Sequence, residues 1–498
     1  MAFTTQTFIF IFFPQSIALY YVCYLLQSKS IFAPLFKKYR ICDLLIIGIS
    51  AYFYLWACFD DIFRFVSYIL LIWVLGKIIE SIHLKHYSFI IERRDEPNSK
   101  KHVPLSLFIL FFSLALIVFI LLHFKYTALL LRVWNYLFKD TITAKSYLAP
   151  LGISFITFSS ISYLVDIYKE RAKAGSLIDC TLYLLFFPKV VSGPIVLWRD
   201  FANQIEDRKV SLDLSITGAN RIMIGFAKKL ILADTFGACI ASATGSIDIA
   251  TSWGIALLYM LQIYYDFSGY SDIAIGLSNM LGFSFSENFN FPYLSLSITE
   301  FWRRWHISLG KWFREYIYFP LGGNRRGKVR TLLNVGIVFL LTGLWHGAGW
   351  TYMLWGIING LCNILEKLVF DKSWYKRTPN CIKWFVTMFI TYFCWELFRF
   401  NSITSCIQWL KVMFGIIKHS DIPYSWMYYF DTRMVILTII AIVSATLFGL
   451  PKVQQFFQTI IRKPYGYAIQ QVLFIVLFII ACLFMVNSTY SPFIYFQY

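Results

Sequence analysis

Apolar runs long enough to cross a bilayer recur along this chain, and few folds accommodate them. They occupy residues 5–26, 42–59, 62–82, 105–123, 146–168, 217–240, 331–345, 351–370, 383–400, 433–450 and 468–487. In hydrocarbon every backbone N–H and C=O must bond within the protein, which leaves helices or closed barrels. Runs of this length select helices. Only 14% of the 498 residues are charged, against about 25% in an ordinary soluble domain, and no polar block is long enough to fold alone. The expected fold is an all-α polytopic membrane protein, one domain over residues 1–498.

The net charge of +18 does not point to nucleic acid, because no basic segment forms a folded unit. Lys and Arg sit in short segments between apolar runs, as cytoplasmic loops of membrane proteins do. Lys29, Lys37, Lys38 and Arg40 place the first loop inside and the N-terminus outside. The polar loop at 83–104, with Lys85, Arg93, Arg94, Lys100 and Lys101, is also cytoplasmic by this rule, and so is 451–463. The C-terminal Ser-Pro-Phe-Ile-Tyr-Phe-Gln-Tyr then lies outside or in the outer interface. Residues 5–26 read as a retained first span, since positive charge is missing before the run. Residues 127–138 are short for a span and read as interfacial or re-entrant. Pro188, Gly193 and Pro194 make 177–198 a broken helix. The total is about 11 to 13 membrane helices. The ten cysteines are scattered, so neither a metal site nor a disulfide framework is expected.

Ionisable and polar groups concentrate between Tyr264 and Trp350. From Ser297 to Phe319, Ile298, Phe301, Trp302, Trp305, Leu309, Trp312, Phe313 and Tyr316 draw one apolar stripe. That spacing predicts an amphipathic helix at the cytoplasmic interface, opened by a Ser297–Glu300 capping box, with Arg303, Arg304, Lys311 and Arg314 opposite. His306 borders the stripe: it either turns inward to a site or is an interfacial histidine bonded to backbone. His346 follows an apolar run and sits among Gly343, Gly347 and Gly349, which let helices approach closely or leave room for a ligand. An ionisable group at membrane depth is a functional candidate, and histidine suits proton transfer, although a packed and satisfied His346 is the alternative. Asp266 and Asp272 flank Phe-Ser-Gly-Tyr-Ser. They fit either orientation of a histidine or polar substrate, or capping around a helix break at Gly269. Gly322 to Lys328 is a glycine-rich basic loop that could meet phosphates, and also a plain positive-inside loop.

Five motifs then carry a family resemblance. They are Asp-Phe-Ser-Gly-Tyr-Ser-Asp-Ile-Ala-Ile-Gly (266–276), Glu-Asn-Phe-Asn-Phe-Pro-Tyr (287–293), Ser-Ile-Thr-Glu-Phe-Trp-Arg-Arg-Trp-His-Ile-Ser-Leu (297–309), Tyr-Ile-Tyr-Phe-Pro-Leu-Gly-Gly-Asn-Arg (316–325) and Gly-Leu-Trp-His-Gly-Ala (343–348). The sequence resembles the membrane-bound O-acyltransferase family, in particular the bacterial alginate O-acetyltransferase membrane subunits; the teichoic acid D-alanyl transfer protein is a more distant relative. The resemblance implies a helical bundle around a transmembrane tunnel, with the family's invariant histidine at His346 and its second motif histidine at His306. It implies acetyl transfer from cytoplasmic acetyl-CoA, a donor substrate and not a permanent cofactor, to an extracellular or periplasmic polysaccharide. Ser268, Tyr270, Arg304, Trp305 and Trp345, with Asp266, are the expected substrate contacts, and Arg325 and Arg326 the expected contacts to CoA phosphates. A separate periplasmic or extracellular partner completes the transfer in relatives and is expected here, in the bacterial inner membrane among its lipids. D-alanyl transfer from a carrier protein and a non-enzymatic transporter are the alternatives; the paired repeats of a transporter are not visible.

Overall fold

The computed structural model describes residues 3–29, 31, 33–92, 103–139, 141–142, 150–191, 193–243, 245–419 and 421–487. The five cationic positions named for the 83–104 loop and the C-terminal segment from 488 lie outside the described side chains. Among the described residues there is no strand. Among these residues seven helices are long and apolar enough to cross a membrane, and Ile41–Ala57 and Ile153–Tyr168 are shorter apolar helices. The chain divides into two compact units, Met1–Gly218 with Ala274–Ser286, and Ala219–Ile273 with Glu287–Tyr498.

In the first unit the two segments expected at 105–123 and 127–138 are a single helix, Val103–Phe138. Phe124, Lys125 and Tyr126 contain no proline or glycine, and a lone cation does not break a helix. The break expected within 177–198 is present. A helix over Leu177–Leu185, opened by a Ser176–Asp179 capping box, is followed by a four-residue helical turn, Phe187–Val190, and residues 194–197 just before Trp198 are not helical. Such a break leaves buried polar groups to be satisfied. The Ile153–Tyr168 helix supplies partners: Ser162 accepts from Trp198 N–H at 2.8 Å, Asp166 from Arg199 N–H at 3.2 Å, and Ser159 from Lys189 Nζ at 3.1 Å.

The second unit holds the motif-rich stretch. The Leu212–Phe226 helix continues through a π-helical turn, Ala227–Ala233, into Asp234–Ser242. The Ile249–Met280 helix crosses it at Gly225 and Gly269, where a Cβ on Gly225 would lie 2.6 Å from the Gly269 carbonyl oxygen. Gly269 is therefore a crossing point inside an unbroken helix, and the expected break there does not occur.

The Lys328–His346 and Trp350–Val369 helices form an antiparallel hairpin joined by Gly347, Ala348 and Gly349. A Cβ on Gly343 would come within 2.5 Å of the Tyr352 carbonyl oxygen, and one on Gly356 within 2.6 Å of the Phe339 carbonyl oxygen. Bare backbones thus touch across the hairpin, the packing that small residues permit in membranes. Around Gly347 the space is filled by the Tyr352 ring, 2.4 Å from the position of an added Cβ. The glycines near His346 serve helix approach. Gly356→Val is expected to lower the thermal unfolding midpoint in detergent, at a cost of roughly 1–3 kcal/mol or more for overpacking. Gly48→Ala, inside a helix where nothing lies within 4 Å of the added atom, should leave it unchanged or raise it slightly; equal midpoints for both variants would refute the close crossing.

Candidate active site

The helix expected over 297–319 is two helices, Ile298–Arg304 and Ile307–Phe313, followed by a π turn to Tyr318. The first begins as the sequence suggests, with Ser297 Oγ accepting from Glu300 N–H at 3.0 Å. The reciprocal arm differs, because Glu300 accepts from Leu296 N–H at 2.9 Å. The remaining N-terminal amides are taken by Glu366, whose carboxylate accepts from Ile298 N–H and, at 2.8 Å, from Thr299 N–H. Thr299 and Trp302 bond Asn363 and Asn359 at 3.0 and 3.1 Å. Asn359, Asn363 and Glu366 form one polar edge of the Trp350–Val369 helix at helical spacing.

The break falls at His306, which adopts a left-handed conformation, φ 46°. Ile307 N–H donates to the Asn288 carbonyl at 2.9 Å, and Asn290 N–H donates to the Arg304 carbonyl at 2.9 Å. The 287–293 motif thus pairs with the broken backbone and turns His306 inward. Its ring packs edge-on against Phe267 at 4.6 Å and lies 6.2 Å from the Trp345 ring. Nδ1 is 3.1 Å from Asn288 Oδ1. His306 is 2% exposed, and burial pushes its imidazole down to about 3.

His346 ends its helix beside Trp345, 4.7 Å from that ring, and Trp355 and Phe398 stand edge-on to it at 5.1 and 5.0 Å. It is 5% exposed. Two histidines separated by 40 residues therefore share one aromatic cage. Trp305 is packed between Phe289, Phe301 and Trp395, with centroids at 5.0, 5.6 and 4.8 Å. Beside His306 is a cavity of about 210 Å³, walled by Trp302, Leu309, Phe313, Val338 and Phe339. That is smaller than the roughly 300–1,000 Å³ of pockets for drug-sized ligands, so a small group fits it.

The other expected contacts separate. Asp266 lies 2.7 Å from Lys229, which also meets Asp234 at 2.6 Å. Asp272 pairs with Arg221 at 2.9 Å and Lys228 at 2.6 Å, and Arg221 also engages Glu287. Neither aspartate caps a helix; both anchor the π turn to the Ile249–Met280 helix, whose buried face also carries Ser268 and Tyr270. Arg304 is held by Glu300 at 2.8 Å and donates to the Asn290 carbonyl at 3.2 Å. Arg325 and Arg326 are exposed on the glycine loop. Asn288, Trp355, Phe398 and the Asn359–Glu366 edge were not singled out in the sequence. Only Asn288 carried a signal, its place in the 287–293 motif.

The family model for the membrane-bound O-acyltransferases matches residues 104–404. The chain belongs to the membrane-bound O-acyltransferase family. It is a multi-pass membrane acyltransferase. It is 32% identical to a probable alginate O-acetylase of Pseudomonas putida over the full length of both chains. A probable alginate O-acetylase of Pseudomonas syringae is 44% identical over 54% of this chain, which there spans about half, 52%, of that relative. A peptidoglycan O-acetyltransferase of Helicobacter pylori is 30% identical over 84% of this chain and 80% of its own length.

Removing the cation at the centre of the buried ion cluster should be costly. Lys229→Met is expected to destabilise by roughly 3–5 kcal/mol, as an uncompensated buried charge does. The double variant Lys229→Met, Asp266→Asn should recover part of the loss. Thermal unfolding of the two purified variants measures both, and a silent Lys229→Met would refute the pairing.

Proposed function

We propose that this protein takes an acetyl group from cytoplasmic acetyl-CoA and delivers it for O-acetylation of an extracytoplasmic polysaccharide. The observation that carries this reading is the convergence of His306 and His346 on one buried aromatic cage with a small apolar cavity beside it. The cavity suits a short acyl group, and two relatives are named for acetyl transfer to polysaccharides. Acyl transfer breaks the thioester C–S bond and forms a C–O bond. A base must take the proton of the attacking hydroxyl, and that proton balances the departing thiolate. His346 takes this proton, and His306, which shares the Trp345 ring with it, aligns the reacting group.

The exposed Arg325 and Arg326 are the proposed contacts to CoA phosphates, since guanidinium groups bind phosphate bidentately. Delivery to the polysaccharide is assigned to a separate periplasmic or extracellular acetyltransferase, with this chain in the bacterial inner membrane. The acceptor class is an alginate-like exopolysaccharide or peptidoglycan.

The test is release of free thiol from acetyl-CoA by the purified protein, with its partner when required. His346→Ala is expected to lower kcat by roughly 10²–10⁴-fold, the usual contribution of a general base, while the protein still folds. Wild-type rates in that variant would remove His346 from the chemistry. Release from a D-alanyl carrier protein but not from acetyl-CoA would replace the donor.

A further inference from the structure

We infer that Asn288 is a positioning residue that fixes His306 as the neutral tautomer protonated on Nδ1, leaving Nε2 bare toward the cavity as a hydrogen-bond acceptor for the substrate. The inference rests on the acyl-transfer reading of the site. It starts from which end of the Asn288 amide is which. Ser308 N–H, which can only donate, meets one amide atom of Asn288 at 3.2 Å, so that atom is the oxygen Oδ1. The opposite end, Nδ2, donates to Ser271 Oγ at 3.0 Å. His306 Nδ1 is 3.1 Å from the same Oδ1, so Nδ1 must carry the hydrogen. In a neutral imidazole the other nitrogen is then an acceptor. Nε2 is buried, has no hydrogen-bond partner among the described residues, and belongs to a side chain that lines the apolar cavity. A buried acceptor without a partner is costly and calls for a ligand or a catalytic role. A hydroxyl or thiol entering the cavity supplies the missing donor.

The surroundings keep this imidazole neutral. Phe267 and Ser271 face it or its Asn288 anchor from the Ile249–Met280 helix, and Trp345 from the Lys328–His346 helix. Ionisable groups around the site include His346, which shares the Trp345 ring, and Arg314 and Tyr318 on the cavity wall. Asp272 and Glu287, adjacent in sequence to Ser271 and Asn288, are both taken up by Arg221. Burial also lowers the basicity of His306, so at neutral pH it accepts a hydrogen bond without taking the proton, which falls to His346.

The experiment uses the full chain in lipid nanodiscs, with Asn288→Ala and Asn288→Asp. Nitrogen-15 NMR of histidine-labelled protein, with the His306 signals assigned by difference from His306→Gln, is expected to show Nδ1 protonated and Nε2 bare in the wild type. Asn288→Ala should lose that preference and lower kcat by roughly 10²-fold with little change in KM. Asn288→Asp keeps an acceptor at Nδ1 but adds a negative charge, which favours the imidazolium. The pH at which the nitrogen-15 signals of His306 report its protonation should therefore move up by at least one unit. A structural role alone would move neither the tautomer nor that titration. Unchanged tautomer and kcat in Asn288→Ala, or an unmoved His306 titration in Asn288→Asp, overturns the proposal. If wild-type protein releases no thiol from acetyl-CoA, the donor reading falls, and the tautomer spectra of wild type and Asn288→Ala still decide the role of Asn288.

Discussion

The left-handed turn at His306 governs the arrangement of the rest of the site. A non-glycine residue with φ near 46° is held at a cost of order 1–3 kcal/mol, so the surroundings must over-determine it. They do so with backbone bonds from Ile307 to Asn288 and from Asn290 to Arg304, together with the bonds that the Asn288 side chain accepts from Ser308. At about 1 kcal/mol net each, these bonds are sufficient to offset the strain. Without the turn the helix begun at Ile298 would continue, and His306 would be rotated away from Phe267 and Trp345. Trp305 benefits from the same break, since it is the last residue before the turn and enters the aromatic cluster with Trp395.

Around the turn, the buried ionic groups are paired or hydrogen-bonded. Burying an isolated charge costs several kcal/mol even after relaxation, far more than one hydrogen bond returns. Lys229 accordingly meets two carboxylates, and the Glu366 carboxylate is spent on two helix-end amides. The broken segment near Pro188 is lined by hydroxyls and a carboxylate from the Ile153–Tyr168 helix. These sets fix positions, whereas the apolar contacts that fill most of the interior tolerate sliding. The Glu366 carboxylate and the Asn359–Asn363 edge seat the Ile298–Arg304 helix on the Trp350–Val369 helix, which carries Trp355. That docking places one wall of the His346 cage.

Much of this was legible in the sequence because lipid imposes a simple rule. Apolar runs had to be helices, the proline-rich break had to be supported, and motif histidines had to be buried to be interesting. What the sequence hid were pairings between distant residues. Asp266 and Asp272 looked like capping or orienting groups, since nothing local reveals that Lys228 and Lys229 face them from a π turn. The apolar stripe from Ile298 to Tyr316 has regular helical spacing, and only the bond from Ile307 to Asn288 shows why it breaks. The number of long apolar helices among the described residues, seven, is below the expected 11 to 13. Two expected segments merge in Val103–Phe138, and the central Ile249–Met280 helix carries too many buried polar side chains to read as lipid-facing.

The aromatic cage itself bears on how an acyltransferase avoids hydrolysis. Water is a competing nucleophile at any activated acyl group, and excluding it is one function of a closed site. Here both histidines are 5% exposed or less, and their neighbours are indole and phenyl rings with few polar atoms to hold water. The same rings leave each imidazole little freedom to rotate, which matters because a reacting geometry must hold to about half an ångström. Exclusion of water and orientation of the two imidazoles thus come from the same packing. The hairpin crossing at Gly343 and Gly356 belongs to that packing, since it sets the approach of the two helices that carry Trp345, His346 and Trp355. The geometry of the cage is therefore tied to backbone contacts one turn and more away from the histidine, at residues with no functional group of their own.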